Sequence, residues 1–121
     1  MLRERNLNES PLAKRAVAEA VGTAMLVAGV IGSGIMAERL SGGNTALALL
    51  ANTIATGGVL VAIILAFGSI SGAHFNPAVT TSDALQDGLP WREVPAYIIA
   101  QIAGGVVGTG VANSMFALPV F

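Results

Sequence analysis

From Leu40 to Ser82 the chain carries no Asp, Glu, Lys or Arg, and near the end of that stretch stands Ser71-Gly72-Ala73-His74-Phe75-Asn76-Pro77-Ala78-Val79-Thr80. This decapeptide cannot all be ordinary helix. Gly72 permits an irregular backbone, and the residue before a proline is pushed towards extended geometry. Asn76-Pro77 then reads as a helix start, with Asn as N-cap and Pro at the first helical position. An N-cap Asn turns its amide oxygen back onto a backbone N–H, leaving its two side-chain N–H donors free to face something else. In a soluble loop Asn-Pro is a plain helix start. Inside an uncharged stretch the same helix begins in lipid, where irregular backbone persists only against protein or a water-filled cavity. The sequence therefore predicts a re-entrant loop that lines a cavity.

Composition agrees with a membrane setting. Of 121 residues, 54% are hydrophobic and only 11% charged, and the mean hydropathy is +0.73. Further uncharged stretches run from Ala20 to Ala37 and from Val94 to Phe121; a span needs roughly 20 apolar residues, so each suggests one transmembrane helix. The absence of cysteine excludes a disulfide framework and a thiolate metal site. A net charge of -1 argues against a nucleic-acid partner. The Lys14-Arg15 pair before an apolar run could open a signal peptide, but the run is longer than an h-region and carries Glu19 near its start, which favours an uncleaved span.

Residues 1–11 are expected to be a polar tail and residues 12–121 one repeat, with helices at about 12–37, 45–67 and 92–115 and a half-helix at 76–86. After the second helix only about 15 residues remain before Asp83, too few to cross a core of roughly 30 Å again. The half-helix would rise about 15 Å, so the chain dips in and leaves on the same side. Ser41-Gly42-Gly43-Asn44 and Asp87-Gly88-Leu89-Pro90 are turn chemistry, and Trp91 suits an interfacial anchor. With the N-terminus in the cytoplasm, Arg3, Arg5, Lys14, Arg15 and Arg92 fall inside and only Arg39 outside, as the positive-inside rule asks. Ala100, Gly104, Gly108 and Ala112 form a small-residue stripe that suits close packing against helix one, with its Gly22, Gly29 and Gly32.

The decapeptide closely resembles the first Asn-Pro-Ala loop of the aquaporin and glycerol-facilitator family, the major intrinsic proteins. Ala18-Glu19-Ala20-Val21-Gly22-Thr23 resembles the glutamate motif of that family's first helix, and Ala100-Gln101 its third. The resemblance covers the chain beyond its tail, but only the first half of the family's architecture. It implies an all-α membrane protein of three transmembrane helices plus one re-entrant half-helix. It further implies a passive channel for water or small neutral solutes, neither enzyme nor cofactor-dependent, in the plasma (inner) membrane.

The resemblance also assigns residues. The carbonyls of Gly72, Ala73, His74 and Phe75 would accept hydrogen bonds from a dehydrated solute. Asn76, Pro77 and Ala78 would open the half-helix, with the Asn76 amide and the positive helix end as donors. Glu19 and Gln101 would scaffold the loop. For Glu19 the alternative is a snorkelling interfacial charge, and for Gln101 a pore-lining or a plain interhelical role. Thr56 falls at the helix-two position of the family's outer filter, where an aromatic is usual, so a wider constriction is implied; the alternative is a hydroxyl bonded to its own helix. Leu60 and Leu26 resemble pore-wall positions, with helix packing or lipid contact as the other reading. His74 is a candidate proton relay or metal ligand, yet a lone His without clustered ligands reads as a structural hydrogen-bonder.

The family pattern continues with a second inverted half that this chain does not contain. The expected partners are therefore the lipid bilayer, a second aquaporin-like half and, for complete protomers, a homotetramer. Two further readings stay open: a non-conducting assembly module, and half of a secondary transporter, since broken helices at the midplane also bind substrates.

Overall fold

The computed structural model describes residues 10–121; the polar segment 1–9, with Arg3 and Arg5, lies outside the described residues. Four α-helices follow one another: α1 Leu12–Leu40, α2 Thr45–Ser71, the short α3 Pro77–Leu85, and α4 Val94–Met115, the last preceded by a 3-10 turn Trp91–Glu93. Among the described residues three helices are long and apolar enough to cross a membrane, and the fold is all-α. The protein is an integral membrane protein.

Each boundary has a local cause. α1 runs past the expected end at 37, because Glu38, Arg39 and Leu40 are all compatible with helix. It stops where Gly42 and Gly43 take φ of 62° and 87°. Asn44 caps α2 by accepting the Leu47 N–H at 3.0 Å. α2 likewise passes the expected 67 and continues to Ser71, since the first left-handed residue is Gly72, at φ 89°. α3 starts at Pro77 with extended Asn76 as its cap and ends at Leu85, one residue inside the expected range at each end. Asp87, at φ 61°, turns the chain towards α4.

α1 lies between α2 and α4, and residue pairs give the directions. Arg15 meets Glu93 and Glu19 meets Gln101, so α1 and α4 run parallel. Val59 lies against Gly29 and Asn52 against Ser33, so α2 runs antiparallel to α1. The small-residue stripe does face α1, but not its glycines: Gly104 and Gly108 lie on the backbone carbonyls of Ala20 and Ala24, so close that a methyl group would overlap them. Gly22 instead receives the Phe75 ring, Gly29 faces Val59, and Gly32 faces Phe116. The helix-one glycines thus accommodate side chains, while the α4 glycines accommodate backbone.

α3 returns the chain to the end where α1 begins. Ala84 at its close packs with Leu89, Val94 and Tyr97, and Leu12 and Ile98 cover that cluster. At nine residues α3 rises only about 14 Å, half a bilayer core. The buried residues of α2 are just Ile63 and Ser71, so most of its surface, including Leu49, Ile54 and Leu65, is uncovered.

Candidate functional site

The site is built from two helices and a loop at one level: Glu19 on α1, the loop between α2 and α3, and Gln101 on α4. Glu19 is fully buried. Its Oε1 accepts the Phe75 N–H at 2.8 Å and the Gln101 Nε2–H at 2.8 Å. Its Oε2 accepts the Ser71 hydroxyl at 2.6 Å and the His74 N–H at 3.2 Å. A buried carboxylate is tolerable only with such donors around it, and hydrogen bonds to a charged acceptor contribute about 1.5–3 kcal/mol each.

The loop backbone is shaped to supply them. Gly72, Ala73 and Phe75 have φ of 89°, 55° and 55°, while His74 is not left-handed. Backbone that mixes left-handed residues with others in this way gathers successive N–H groups into an anion-binding concavity. Here the anion is the Glu19 carboxylate. The Ala73 N–H joins indirectly, donating to the Ser71 hydroxyl oxygen at 3.1 Å.

The direction of the loop carbonyls follows from peptide planarity. In a trans peptide the C=O points opposite to the N–H that follows it. The N–H groups of Ala73, His74 and Phe75 turn towards Ser71 and Glu19. The carbonyls of Gly72, Ala73 and His74 therefore turn away from the scaffold. The Phe75–Asn76 peptide has no corresponding N–H bond to Glu19 or Ser71. The Phe75 side chain is buried on Gly22, with its ring edge-on to Phe67 at 6.3 Å between centroids.

Asn76 stands at φ -160° and ψ 127°, and its Oδ1 accepts the Ala78 N–H at 2.8 Å. Its amide hydrogens have no partner among the described residues, and Asn76, Pro77 and Ala78 are all exposed. The Gln101 Nε2 hydrogens are both used, on Glu19 and on the Thr80 Oγ1 at 2.8 Å. A flipped amide would set oxygen against the carboxylate, so the nitrogen faces Glu19, and the buried Gln101 Oε1 is left without a hydrogen-bond partner among the described residues. His74 Nδ1 shares the same Thr80 Oγ1 at 2.9 Å, and Nε2 lies 3.6 Å from Asp83 Oδ2, which also accepts the Leu89 N–H at 2.8 Å. The described residues contain no group of three His, Cys, Asp or Glu suited to a metal.

Thr56 and Leu60 sit on α2 about three to four turns before the loop and share no hydrogen bond with it. The Thr56 hydroxyl donates to the Asn52 carbonyl at 2.8 Å. Leu60 is exposed and Leu26 half-buried.

Sequence reasoning assigned no role to Thr80, Tyr97 or the Arg15–Glu93 pair. Thr80 is fully buried between His74 and Gln101. Tyr97 donates its hydroxyl to the Ser71 carbonyl at 2.7 Å. Arg15, counted above as one of the inside charges, is buried and holds Glu93 with both Nη atoms, at 2.9 and 3.0 Å. A signal did exist: Glu93, Tyr97 and Gln101 recur every fourth residue, one polar face running from the 3-10 turn into α4, matching Arg15 and Glu19 on α1.

Compared with known proteins, residues 6–118 match the family described as Major intrinsic protein. Aquaglyceroporin AqpS of Rhizobium meliloti (strain 1021) is 54% identical over 113 residues, which cover 93% of this chain and 48% of the relative. Probable aquaporin NIP7-1 of Arabidopsis thaliana is 39% identical over 102 residues, 84% of this chain and 36% of the relative. Aquaporin NIP1-1 of Zea mays is 36% identical over 106 residues, 88% and 36% respectively. The chain thus spans about half, or less, of the length of these relatives.

Proposed function

As the chain belongs to the major intrinsic protein family, we propose that it forms the first half of a passive membrane pore for water and small neutral solutes such as glycerol or a metalloid hydroxide. The observation that carries this reading is the loop held by Glu19: three consecutive N–H groups turned inward, so that three carbonyls turn outward. Outward carbonyls at Gly72, Ala73 and His74 offer a line of acceptors to a solute that has lost its hydration. Beyond them the unspent Asn76 amide and the positive end of α3 offer donors and positive potential.

A neutral polar molecule exchanges hydrogen bonds along this line. A cation meets repulsion at the helix end without recovering its hydration, and a water forced to accept bonds at the midplane interrupts proton hopping. The short Thr56 side chain supports a wide outer constriction, and Leu60 and Leu26 supply apolar wall. The other wall comes from a second aquaporin-like half, and complete protomers assemble as homotetramers. The lysine and arginine distribution supports a cytoplasmic N-terminus in the plasma (inner) membrane. Single cysteines introduced at Gly43 and Gln86 would then label from opposite sides, Gln86 from the cytoplasm; equal labelling of each from both sides would overturn that orientation.

The function is tested by stopped-flow swelling and shrinking of proteoliposomes holding this chain together with the second half of the Rhizobium relative. Flux linear in solute gradient is expected. Saturable or ion-coupled uptake would replace the channel by a transporter, and a stable assembly without flux would replace it by a non-conducting module.

A further inference from the structure

We propose that Tyr97 is a positioning residue of the pore loop, held in place by the buried Arg15–Glu93 pair; this rests on the half-pore reading above. The four peptide planes from Ser71–Gly72 to His74–Phe75 are each tied by at least one hydrogen bond. The Ser71–Gly72 peptide is the one at which the direction reverses: its carbonyl points inward, to the Tyr97 hydroxyl at 2.7 Å, and its N–H bonds the Gly68 carbonyl at 3.0 Å. The next three peptides turn their carbonyls the other way. Tyr97 therefore anchors the last inward carbonyl before the outward line begins. Ser71 is held twice, by its carbonyl on Tyr97 and by its hydroxyl on Glu19, and that hydroxyl oxygen in turn sets the Ala73 N–H. As the last residue of α2, Ser71 has a carbonyl that no helical N–H satisfies, so a side-chain donor is the group that can fix its direction.

The Tyr97 ring is itself clamped. It is 1% exposed, lies 5.2 Å from the His74 ring at 50°, and has the Arg15 guanidinium carbon 6.0 Å from its centroid. Arg15 cannot swing away, because both Nη atoms bond Glu93 and Nε bonds the Ser10 carbonyl at 2.8 Å. A buried ion pair contributes little net stability compared with apolar side chains of similar volume. One set beside the tyrosine that orders the loop acts as a fixed strut between the starts of α1 and α4.

Tyr97→Phe removes one oxygen and keeps the ring. Amide hydrogen exchange of the chain in lipid nanodiscs reads the loop directly. The expected result is several-fold faster exchange at Ala73, His74 and Phe75, with the α1 amides from Val21 to Val27 unchanged. Replacing the strut by Arg15→Met with Glu93→Leu, Tyr97 retained, is expected to speed the same loop amides. In proteoliposomes with the complementary half, Tyr97→Phe is expected to lower glycerol flux per folded protein more than water flux, a ratio that loss of folded protein would not change. Unaltered loop exchange in Tyr97→Phe overturns the proposal, as does an unaltered flux ratio beside a conducting parent. A parent that conducts nothing overturns the half-pore reading instead, and the exchange result still decides whether Tyr97 orders the loop.

Discussion

Removing the Glu19 carboxylate is the perturbation whose consequence can be worked most directly from the structure. Glu19→Ala leaves four donors without their acceptor: the N–H groups of His74 and Phe75, the Ser71 hydroxyl and the Gln101 amide. Two of them have somewhere else to turn. The Ser71 hydroxyl rotates freely, and Gln101 keeps its bond to Thr80. The two backbone groups do not, because their peptide planes are set by the left-handed residues on either side of His74. A stranded buried donor costs about 1–3 kcal/mol, so the pair alone amounts to roughly 2–6 kcal/mol. Against a typical total of about 5–15 kcal/mol this is a large fraction. Relief of the buried charge offsets part of it, and Glu19→Gln isolates that part, since the amide also removes the charge but keeps one acceptor oxygen in place. The expected order of thermal midpoints in detergent is parent above Glu19→Gln above Glu19→Ala. Glu38→Ala, at an exposed position, is expected to stay within about 0.5 kcal/mol of the parent. Equal melting of Glu19→Ala and Glu38→Ala would refute the reasoning and return Glu19 to the status of an interfacial charge.

Gly104→Ala drives a methyl group into the Ala20 carbonyl and is expected to cost about 1–3 kcal/mol, whereas Gly58→Ala meets open space and gains about 0.5–1 kcal/mol of helix propensity; opposite signs in thermal melts check the α1–α4 contact. Thr56→Trp, in the chain joined to its complementary half, is expected to cut the flux of three-carbon neutral solutes sharply and that of water less. A fall of both fluxes in proportion would mean that the side chain merely overpacks a helix contact.

The helices were legible because their signals are local. Asn76 is a short polar cap directly before a helical run, Ser41-Gly42-Gly43-Asn44 is a turn cluster, Gly72 permits an irregular backbone, and the half-helix is too short to span. The level of detail that was not legible lies between elements. Gly22 and Gly104 are the same letter in similar surroundings, yet one admits a phenyl ring and the other a neighbouring backbone. Arg15 and Arg92 both read as cytoplasmic-side positive charges, but one is buried in a bidentate pair and the other is exposed. Only the parallel register of α1 and α4 separates them, since it sets Arg15 opposite Glu93 and leaves Arg92 outside. Four-residue spacing in two segments hints at that register; it does not say which faces meet.

The loop shows most clearly why its own letters conceal its shape. A concavity of backbone N–H groups is usually announced by glycine, because left-handed φ costs other residues about 1–2 kcal/mol each. Here Ala73 and Phe75 take that conformation, and nothing in either letter suggests it. Their combined strain, roughly 2–4 kcal/mol, is of the size that two charge-assisted bonds from His74 and Phe75 to Glu19 return. The strain is therefore sustained by a residue more than fifty positions away on another helix. The side chain of Phe75 explains why glycine does not serve at that position: its ring fills the notch at Gly22, fastening to α1 the same backbone whose N–H reaches the carboxylate. Glu19 and Gly22, one turn apart on α1, thus grip one residue by its backbone and by its side chain. The loop's geometry is a property of that α1 face as much as of the decapeptide itself.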